Sequence, residues 1–438
     1  MKSSISAALA ATTLLLSLAV SAQKVDFTEY DLENGLHVIL HTDKSAPVVA
    51  VTVMYHVGSK NEDTARTGFA HFFEHLLFEG SDNIKRGEFM KFVSSNGGEN
   101  NANTSHDRTF YYEVFPSNQL ETGLWLESER MMHPVINDTG VNTQREVIKE
   151  EKRLRIDNQP YAQFQAEILK RIYTKHPYRW STIGSMEHLN AAKLDEFLAF
   201  FKRYYAPNNA VLSIAGDIDI EKTKNLVKAY FGEIPKGVEV KQPDIKEAPI
   251  STGMVDTAYD ANIQIPAIML AYRIPGIKEK DEKVMNLVSE VLSGGASSRL
   301  RKKMVDEKKN ALQVGALNLS GEDYSTYVIY GLPNADKTLE ELMKDMDEEI
   351  VKLQTSLISN KELQKLRNTY ESQYADVNLS SLRVAEELAA GYTYHRNTGL
   401  INTELSEYMS ITSEDIRAAA KKYLNNNQRL VLYYLPKK

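Results

Sequence analysis

The chain has 438 residues, of which 42% are hydrophobic and 25% are charged, a composition typical of globular proteins. This length indicates two sizeable domains, each large enough to bury its own core. The formal net charge of −7 excludes an electrostatic nucleic-acid binder, and the lack of cysteine excludes a disulfide scaffold or a thiolate site.

Residues 1–22 have the features of a secretory signal peptide. A basic start at Lys2 is followed by an apolar run over residues 5–20 and then by small residues. The run is short for a membrane span. We therefore expect cleavage before Gln23, export to the periplasm, and a mature protein without a membrane span.

Hydrophobic periodicity and turn residues predict the elements of the first half, residues 23–235. The predicted strands are Leu36–Leu40, Val48–Tyr55, Arg108–Phe115 and Ala210–Ala215. The predicted helices follow Gly68 and cover Gly87–Val93, most of Ser117–Tyr205 with breaks at its prolines, and Asp219–Phe231. Residues 236–250 hold prolines among charged residues without a regular period, and this composition predicts a linker.

The second half, residues 251–438, repeats this plan. Its predicted strands are Ala267–Tyr272, Ala311–Asn318, Tyr324–Tyr330 and Arg429–Tyr434. Its predicted helices are Asp281–Leu292, Ser297–Glu307 and a long block over Leu339–Tyr423. Both halves end in a helix, an Asn-Asn turn and a strand, which indicates a duplication. We expect an α+β fold of two similar domains, each with a mostly antiparallel sheet and helices packed on one face.

The segment GFAHFFEHLLFEG, residues 68–80, carries the pattern His-x-x-Glu-His. His71 and His75 are four residues apart, so on a helix both imidazoles lie on one face and can hold one metal ion. Glu74 is placed to take a proton from a water that zinc acidifies. Two histidines supply half of a tetrahedral site, so a third protein ligand is expected elsewhere. The alternative is a helix with two solvent-facing histidines.

The charged segment QREVIKEEKRLR, residues 144–155, offers this third ligand. A carboxylate on a helix completes a His₂Glu site, which prefers zinc. The candidates are Glu146, Glu150 and Glu151, and the residues alone do not choose among them. None of His106, His133, His176 and His188 pairs with another histidine at ligand spacing, so we expect structural or surface roles for these four.

The run YHVGSKNEDTARTGFAHFFEHLLFEGSDNIKRGEF resembles the inverted zinc-site signature of the pitrilysin/insulinase (M16-type) metallopeptidases, in particular the short branch that includes the mitochondrial processing peptidase subunits. Three later segments resemble landmarks of this family: NGGENNANTSHDRTFYYEVFP, HPYRWSTIGSMEHL and YYAPNNAVLSIAGDID. The resemblance is strong up to about residue 235 and weak beyond it. It implies that the two domains form one half of a clamshell.

The resemblance also implies roles for individual residues. One zinc ion per chain would be held by His71, His75 and Glu151, with Glu74 as general base. An edge strand with Asn101, Ala102 and Asn103 would bind extended substrate through main-chain hydrogen bonds. The family's second acid, two helical turns before the distal ligand, is Gln144 here, and an amide supplies no negative charge to the surroundings of the ligands.

The second half departs from the family pattern after LSGGASSRLRKK, residues 292–303. Self-sufficient members carry an Arg and a Tyr that steady the substrate carbonyl, and Val305 and Leu312 stand at those positions. Loss of an oxyanion donor usually costs about 10² in rate. The pair would come from a partner, in a homodimer or a heterodimer with a related chain that carries it, or Tyr324 or Arg299 would replace it.

The sequence thus predicts an exported zinc metalloendopeptidase that cuts unfolded peptides or released targeting peptides inside a two-halved chamber. Glu74 would activate the zinc-bound water and pass its proton to the leaving amine. No nucleic-acid partner is expected. The alternative is a non-catalytic assembly subunit of a related complex.

Overall fold

The computed structural model describes residues 24–377 and 380–437, so the predicted signal peptide lies outside the described residues. The strands are β1 (Thr28–Asp31), β2 (His37–Thr42), β3 (Val48–Tyr55), β4 (Glu99–Thr104), β5 (Thr109–Pro116), β6 (Ala210–Gly216), β7 (Met254–Asp260), β8 (Ala267–Pro275), β9 (Ala311–Leu319), β10 (Tyr324–Pro333) and β11 (Arg429–Pro436). No strand or helix occurs in residues 236–250. Within the described ranges, no helix has both the length and the apolar composition that a bilayer crossing requires.

The α-helices fill the connections between these strands. In the first half they are α1 (Phe69–Leu76), α2 (Phe89–Ser95), α3 (Leu120–Met132), α4 (Asp138–Lys152), α5 (Phe164–Ile172), α6 (Met186–Ala191), α7 (Leu194–Tyr204) and α8 (Ile220–Phe231). In the second half they are α9 (Lys280–Ser293), α10 (Leu339–Thr355), α11 (Asn360–Val377), α12 (Ser381–His395), α13 (Glu404–Ser410) and α14 (Ser413–Tyr423).

The strands form two sheets with the same topology. The first sheet has the order β1-β2-β6-β3-β5-β4 and the second has the order β7-β11-β8-β10-β9. Each contains one parallel pair, β2 with β6 and β7 with β11, and its other neighbours are antiparallel. Without β1 the two orders and their strand directions coincide, as a duplication predicts. The predicted α+β class with two similar, mostly antiparallel sheets is confirmed.

Each sheet is covered on one face by helices of its own half. The first core joins β2, β3 and β6 to α1, α3, α7 and α8, and the second joins β8, β10 and β11 to α9, α10 and α14. The opposite faces are covered by an exchange of helices between the halves. Helix α12 packs on the first sheet through Val384 and Leu388, and α5 packs on the second through Ile168 and Leu169.

A buried cluster of charges also joins the two halves. Lys60, which is 1% exposed, lies 2.9 Å from Asp107 and reaches across to Glu322 at 2.6 Å and Asp323 at 3.2 Å. His56 lies 2.8 Å from Glu322. Burial alone would raise the pKa of Glu322, but the His56 hydrogen bond and the charges of His56 and Lys60 hold it well below its usual range. This joint cluster ties the loop between β9 and β10 to the first half.

Two parts of the structure differ from the predicted elements. Strands β1 and β7 were not predicted. Strand β1 has only four residues, and both strands carry exposed polar residues such as Glu29 and Asp256. The helix predicted over Ser297–Glu307 begins at Arg299 and widens into a π-helix over Arg301–Glu307.

Candidate metal centre

Helix α1 has an aromatic face and a polar face, because phenylalanines and ionisable residues each recur every three or four positions along it. Phe69, Phe72 and Phe73 pack into the first core, while His71, Glu74 and His75 lie on the other side. The helix follows Gly68, which has a φ of +100°, and a Cβ there would lie 2.8 Å from the Ile183 carbonyl oxygen. Glycine is therefore required at the start of this helix.

Buried polar groups hold α1 in place at both ends. The Glu62 carboxylate accepts hydrogen bonds from the N–H groups of Gly68 at 2.9 Å and Ala70 at 2.8 Å. A carboxylate at a helix N-terminus satisfies free N–H groups and interacts favourably with the helix dipole. The Tyr111 hydroxyl donates to the Phe73 carbonyl at 2.9 Å. The helix is thus fixed to the sheet before any metal binds.

Helix α4 brings one of the three candidate acids to the histidines. Glu151 Oε2 lies 3.1 Å from His75 Nε2 and 3.6 Å from His71 Nε2. Glu146 instead pairs with Lys149, and Glu150 pairs with Arg153. One ligand atom from each of His71, Glu74 and His75 also lies within 4.8 Å of the others.

The donor set at this point fits a zinc ion. Burial and the nearby His75 lower the pKa of His71 to about 4, so its imidazole is neutral at neutral pH and has a lone pair to share. The neighbouring His75 lowers the pKa of Glu151, which keeps the carboxylate ionised. Glu151 Oε2 is buried and has no hydrogen-bond partner among the described residues. Two imidazoles and one carboxylate are a common ligand set of catalytic zinc.

Glu74 lies between these ligands and the edge of the first sheet. Its Oε2 accepts a hydrogen bond of 2.6 Å from the Thr104 hydroxyl. Burial raises the pKa of Glu74, and the Thr104 hydrogen bond offsets part of this rise. A carboxylate whose pKa is raised towards neutrality is suited both to accept and to return a proton.

The predicted substrate strand, β4, lies at one of the two edges of the first sheet. Strand β4 pairs with β5 on one side only, and Asn101 and Ala102 lie opposite Tyr112 and Tyr111. Asn101 and Asn103 are exposed, whereas Ala102 is buried. The strand ends at Thr104, beside Glu74, so its main chain leads directly to the metal centre. Substrate binding by Asn101, Ala102 and Asn103 stays a prediction.

Gln144 lies two turns before Glu151 on α4, as predicted, and contacts a carboxylate that the sequence did not suggest. Its Nε2 donates to Glu79, three residues beyond α1, and Glu79 also pairs with Arg86. The negative charge that Gln144 lacks is therefore present on its neighbour.

The two second-half residues expected as replacements for the Arg/Tyr pair differ in their contacts. Arg299 donates two hydrogen bonds to Glu362, at 2.8 and 3.2 Å, whereas the Tyr324 hydroxyl accepts one from the N–H of Glu247, a bond that does not use the hydroxyl proton. Val305 packs against the second core, and Leu312 is half exposed on β9.

A cavity of about 390 Å³ opens next to the metal centre, between the two halves. Thr104 lies in its wall. The wall also includes Ile156, Ala166 and Leu169 from the first half and Leu319 and Tyr324 from the second. The cavity wall, as far as the described residues form it, contains no Asp, Glu, Lys or Arg side chain.

Sequence reasoning missed three residues at this site: Glu62, Thr104 and Arg155. The guanidinium of Arg155 lies 2.9 Å from Glu151 Oε1. Its position four residues after Glu151 on a helix was a usable indication of this contact. Glu62 and Thr104 offered no such indication. Glu62 lies in the loop before α1, six residues ahead of its first partner, and Thr104 lies 30 residues from Glu74 on another element.

Two family profiles match the chain: "Insulinase (Peptidase family M16)" over residues 37–185 and "Peptidase M16 inactive domain" over residues 191–370. The zinc protease PqqE of Helicobacter pylori is 29% identical over 408 residues, which are 92% of each chain. The crystal structure of a protease from Helicobacter pylori has a TM-score of 0.88 at 29% identity and covers 94% of this chain and 99% of that one. A structure described as a peptidase M16 inactive domain from Pseudomonas fluorescens has a TM-score of 0.84 at 18% identity, with 94% and 98% covered. With profiles of this family matching most of its length, the chain belongs to peptidase family M16.

Proposed function

We propose that the chain is an exported zinc metalloendopeptidase that hydrolyses unfolded peptides. The observation that carries the proposal is the convergence of Glu151 Oε2 on the Nε2 atoms of His71 and His75, beside a Glu74 carboxylate that is bonded to the edge strand. The relatives that are named zinc proteases support the same chemistry. Export rests on the predicted signal peptide, residues 1–22.

His71, His75 and Glu151 would hold the zinc ion. When bound, zinc lowers the pKa of a coordinated water and polarises a carbonyl oxygen. The Glu74 carboxylate would accept the proton of the attacking water and return it to the leaving nitrogen, so that one side chain acts as base and then as acid. The Thr104 hydroxyl would keep Glu74 aimed at the point where the ligands meet.

An extended peptide would add to the free edge of β4 through main-chain hydrogen bonds. This mode requires an unfolded partner, because a folded protein presents few free main-chain groups. The adjoining cavity would receive a neutral side chain, since its wall offers no counter-charge. The oxyanion donors would come from a partner subunit that carries the Arg and Tyr absent at Val305 and Leu312.

The test is hydrolysis of a mixture of unstructured peptides by the purified, zinc-loaded mature chain, read by mass spectrometry. Wild type should cut slowly alone and faster with a related chain that carries the pair. Glu74→Gln should bind zinc but cut at least about 10³-fold more slowly. Equal cleavage of a compact, folded protein and of a loose peptide would contradict the proposed substrate class.

A second function, a non-catalytic assembly subunit, is favoured by one observation. No oxyanion donor occupies residues 305 and 312 in the second half. Stoichiometric zinc together with wild-type cleavage that is lost in Glu74→Gln would exclude this function. Zinc binding without cleavage, even beside a chain that carries the pair, would favour it.

A further inference from the structure

Arg155 is a charged neighbour of the candidate metal ligands that the proposed hydrolysis does not use. Its Nη1 lies 2.9 Å from Oε1 of Glu151, while Oε2 of the same carboxylate faces His71 and His75. The carboxylate is therefore held between a guanidinium on one side and two imidazoles on the other. A carboxylate that is free to rotate would present either oxygen, or neither, to the histidines.

The backbone around Arg155 departs from a regular helix. Helix α4 continues into a π-helix over Arg153–Asp157, with a hydrogen bond from the Asn158 N–H to the Arg153 carbonyl at 2.9 Å. Lys152 pairs with Asp157, five residues on, at 2.7 Å. The π-helical hydrogen bond and this ion pair both join residues that are five positions apart. Such π-turns are uncommon and occur often at functional sites.

The second half holds this turn from the outside. Asn262, in the turn between β7 and β8, donates to the Asp157 carbonyl oxygen at 2.7 Å. The Tyr161 hydroxyl, shortly after the turn, donates to the Ile265 carbonyl at 2.7 Å. The segment with Arg155 is thus fixed at its C-terminal side by main-chain and side-chain groups of the other domain.

We propose that Arg155 is a positioning residue for the third ligand, Glu151, and that the second half contributes to zinc affinity through Asn262 and the π-turn. The proposal rests on the proposed zinc site and adds to it a residue outside the ligand set. Groups that orient a metal ligand typically change metal affinity by 10- to 100-fold when they are removed.

Two effects of Arg155 oppose each other. Its charge repels a bound cation, whereas its ion pair with Oε1 of Glu151 orients the ligand. The Arg155 side chain is 78% exposed, so water and salt screen its repulsion of the cation, but the two charges of the ion pair are only 2.9 Å apart, a distance at which salt screens little. The orienting effect therefore dominates, and removal of Arg155 weakens zinc binding.

The experiment titrates the apo-protein with zinc against a chromophoric chelator, for the full mature chain and its variants. Arg155→Ala should bind zinc 10- to 100-fold more weakly and release it faster. Arg153→Ala is the matched control. It removes the same charge from the same turn, but Arg153 pairs with Glu150 and not with Glu151. It should stay within about twofold of wild type. Equal melting temperatures of the apo-proteins check that the variants fold.

Two more variants separate this proposal from the zinc site itself. Glu151→Ala should lose more affinity than Arg155→Ala, and unchanged affinity in Glu151→Ala would overturn both the site and the inference. If Glu151→Ala weakens zinc binding but Arg155→Ala leaves it unchanged or tightens it, only the inference fails. Asn262→Ala should weaken binding a few-fold, and its effect should be smaller when Arg155 is already alanine. If the effects of Asn262→Ala and Arg155→Ala on zinc affinity are additive, Asn262 does not act on the site through the π-turn and Arg155.

Discussion

Corresponding glutamates in the two halves have opposite surroundings. Helix α1 joins β3 to β4 and α9 joins β8 to β9, so the two helices occupy the same place in the duplicated fold. In each half, a helix carboxylate accepts a hydroxyl hydrogen bond from the end of the edge strand. Glu74 accepts from Thr104 at 2.6 Å, and Glu282 accepts from Ser320 at 2.6 Å.

The other neighbours of these carboxylates differ in kind. Glu282 is 3% exposed and also accepts from the amides of Asn286 and Asn318, so its oxygens are satisfied by N–H donors. Glu74 instead shares its surroundings with two imidazoles and with Glu151, whose buried Oε2 has no hydrogen-bond partner among the described residues. This oxygen faces the Nε2 atoms of both histidines, an arrangement that suits a cation. The same scaffold therefore carries a hydrogen-bonded polar cluster in one half and a candidate metal centre in the other.

The halves differ also at β2 and β7, the two strands that form the parallel pairs. Val38 on β2 pairs with Leu212, and Val255 on β7 pairs with Val431 at the equivalent register. Val38 is fully buried in the first core, which also includes residues of α8, whereas Val255 is 71% exposed. Strand β2 lies between β1 and β6, but β7 is an edge strand. The side chain at this position is thus covered in the first half and exposed in the second.

The largest expected effect concerns the metal. His75→Ala should weaken zinc binding by more than about 10³-fold, because two ligands hold zinc far less well than three, and hydrolysis should fall with it. Glu282→Gln in the second half is the matched control and should leave zinc affinity unchanged. Chelator competition measures both. Weaker zinc binding by Glu282→Gln would contradict the assignment of the metal site to the first half alone.

The joint cluster gives the next largest effect. Glu322→Gln should lower the free energy of unfolding by about 3–5 kcal/mol, because it leaves Lys60 buried without its nearest anion. The folded pKa of Glu322 is depressed, so its stabilisation is full above its unfolded pKa near 4.3 and is lost as pH falls through the folded value. The unfolding free energies of wild type and variant in urea should therefore differ by the same amount at pH 8 and pH 5. The difference should begin to shrink below about pH 4 and vanish only as the pH falls through the folded pKa.

A control variant for this measurement lies in the exposed linker. Asp244 pairs with Lys246, and both side chains are 80% exposed. Asp244→Asn should change the unfolding free energy by less than about 0.5 kcal/mol. A pH-independent loss in Glu322→Gln would contradict the electrostatic account of the joint.

Removal of the hydroxyl that touches the general base should have a moderate effect. The Thr104 hydrogen bond lowers the pKa of Glu74, so Thr104→Val should raise that pKa further. The acidic limb of the kcat/KM–pH profile should move to higher pH with it. Thr143→Val, a control substitution on α4, should leave the acidic limb of the kcat/KM–pH profile unchanged. A downward shift would show that Thr104 does not stabilise the ionised form.

The smallest effect tests the exposed position on β7. Val38→Ala should cost about 2 kcal/mol, from lost burial and a residual cavity, whereas Val255→Ala should cost less than about 0.5 kcal/mol. Thermal or urea unfolding measures both. A large cost at Val255 would mean that something covers this side chain in solution.

The sequence was most informative where chemistry depends on local spacing. His71, Glu74 and His75 lie on one helix, so a three- or four-residue separation was enough to predict their common face. The choice of Glu151 over Glu146 and Glu150 needed the resemblance, because the angle at which α4 meets α1 is set by packing between remote segments. Runs that contain β-branched residues and are bounded by turn formers likewise predicted β3 and β6, which are buried almost throughout.

Long-range pairs were the part that the sequence did not predict. The helix exchange depends on two amphipathic helices whose apolar residues look the same whichever sheet they cover. Lys60 and Glu322 are 262 residues apart, and each on its own is typical of a solvated surface residue. Residues whose roles depend on a distant partner, such as Thr104 for Glu74, carry no mark in the local pattern.

The exchange of α5 and α12 has a consequence for the order in which the chain folds. The first sheet is complete in sequence at β6, yet one of its faces stays bare until α12, near the end of the chain, has been synthesised. An emerging chain therefore exposes a hydrophobic surface for most of its synthesis, the kind of intermediate that aggregates or binds chaperones. We expect the native state to form only after nearly all of the chain is available, with both halves closing together rather than one after the other.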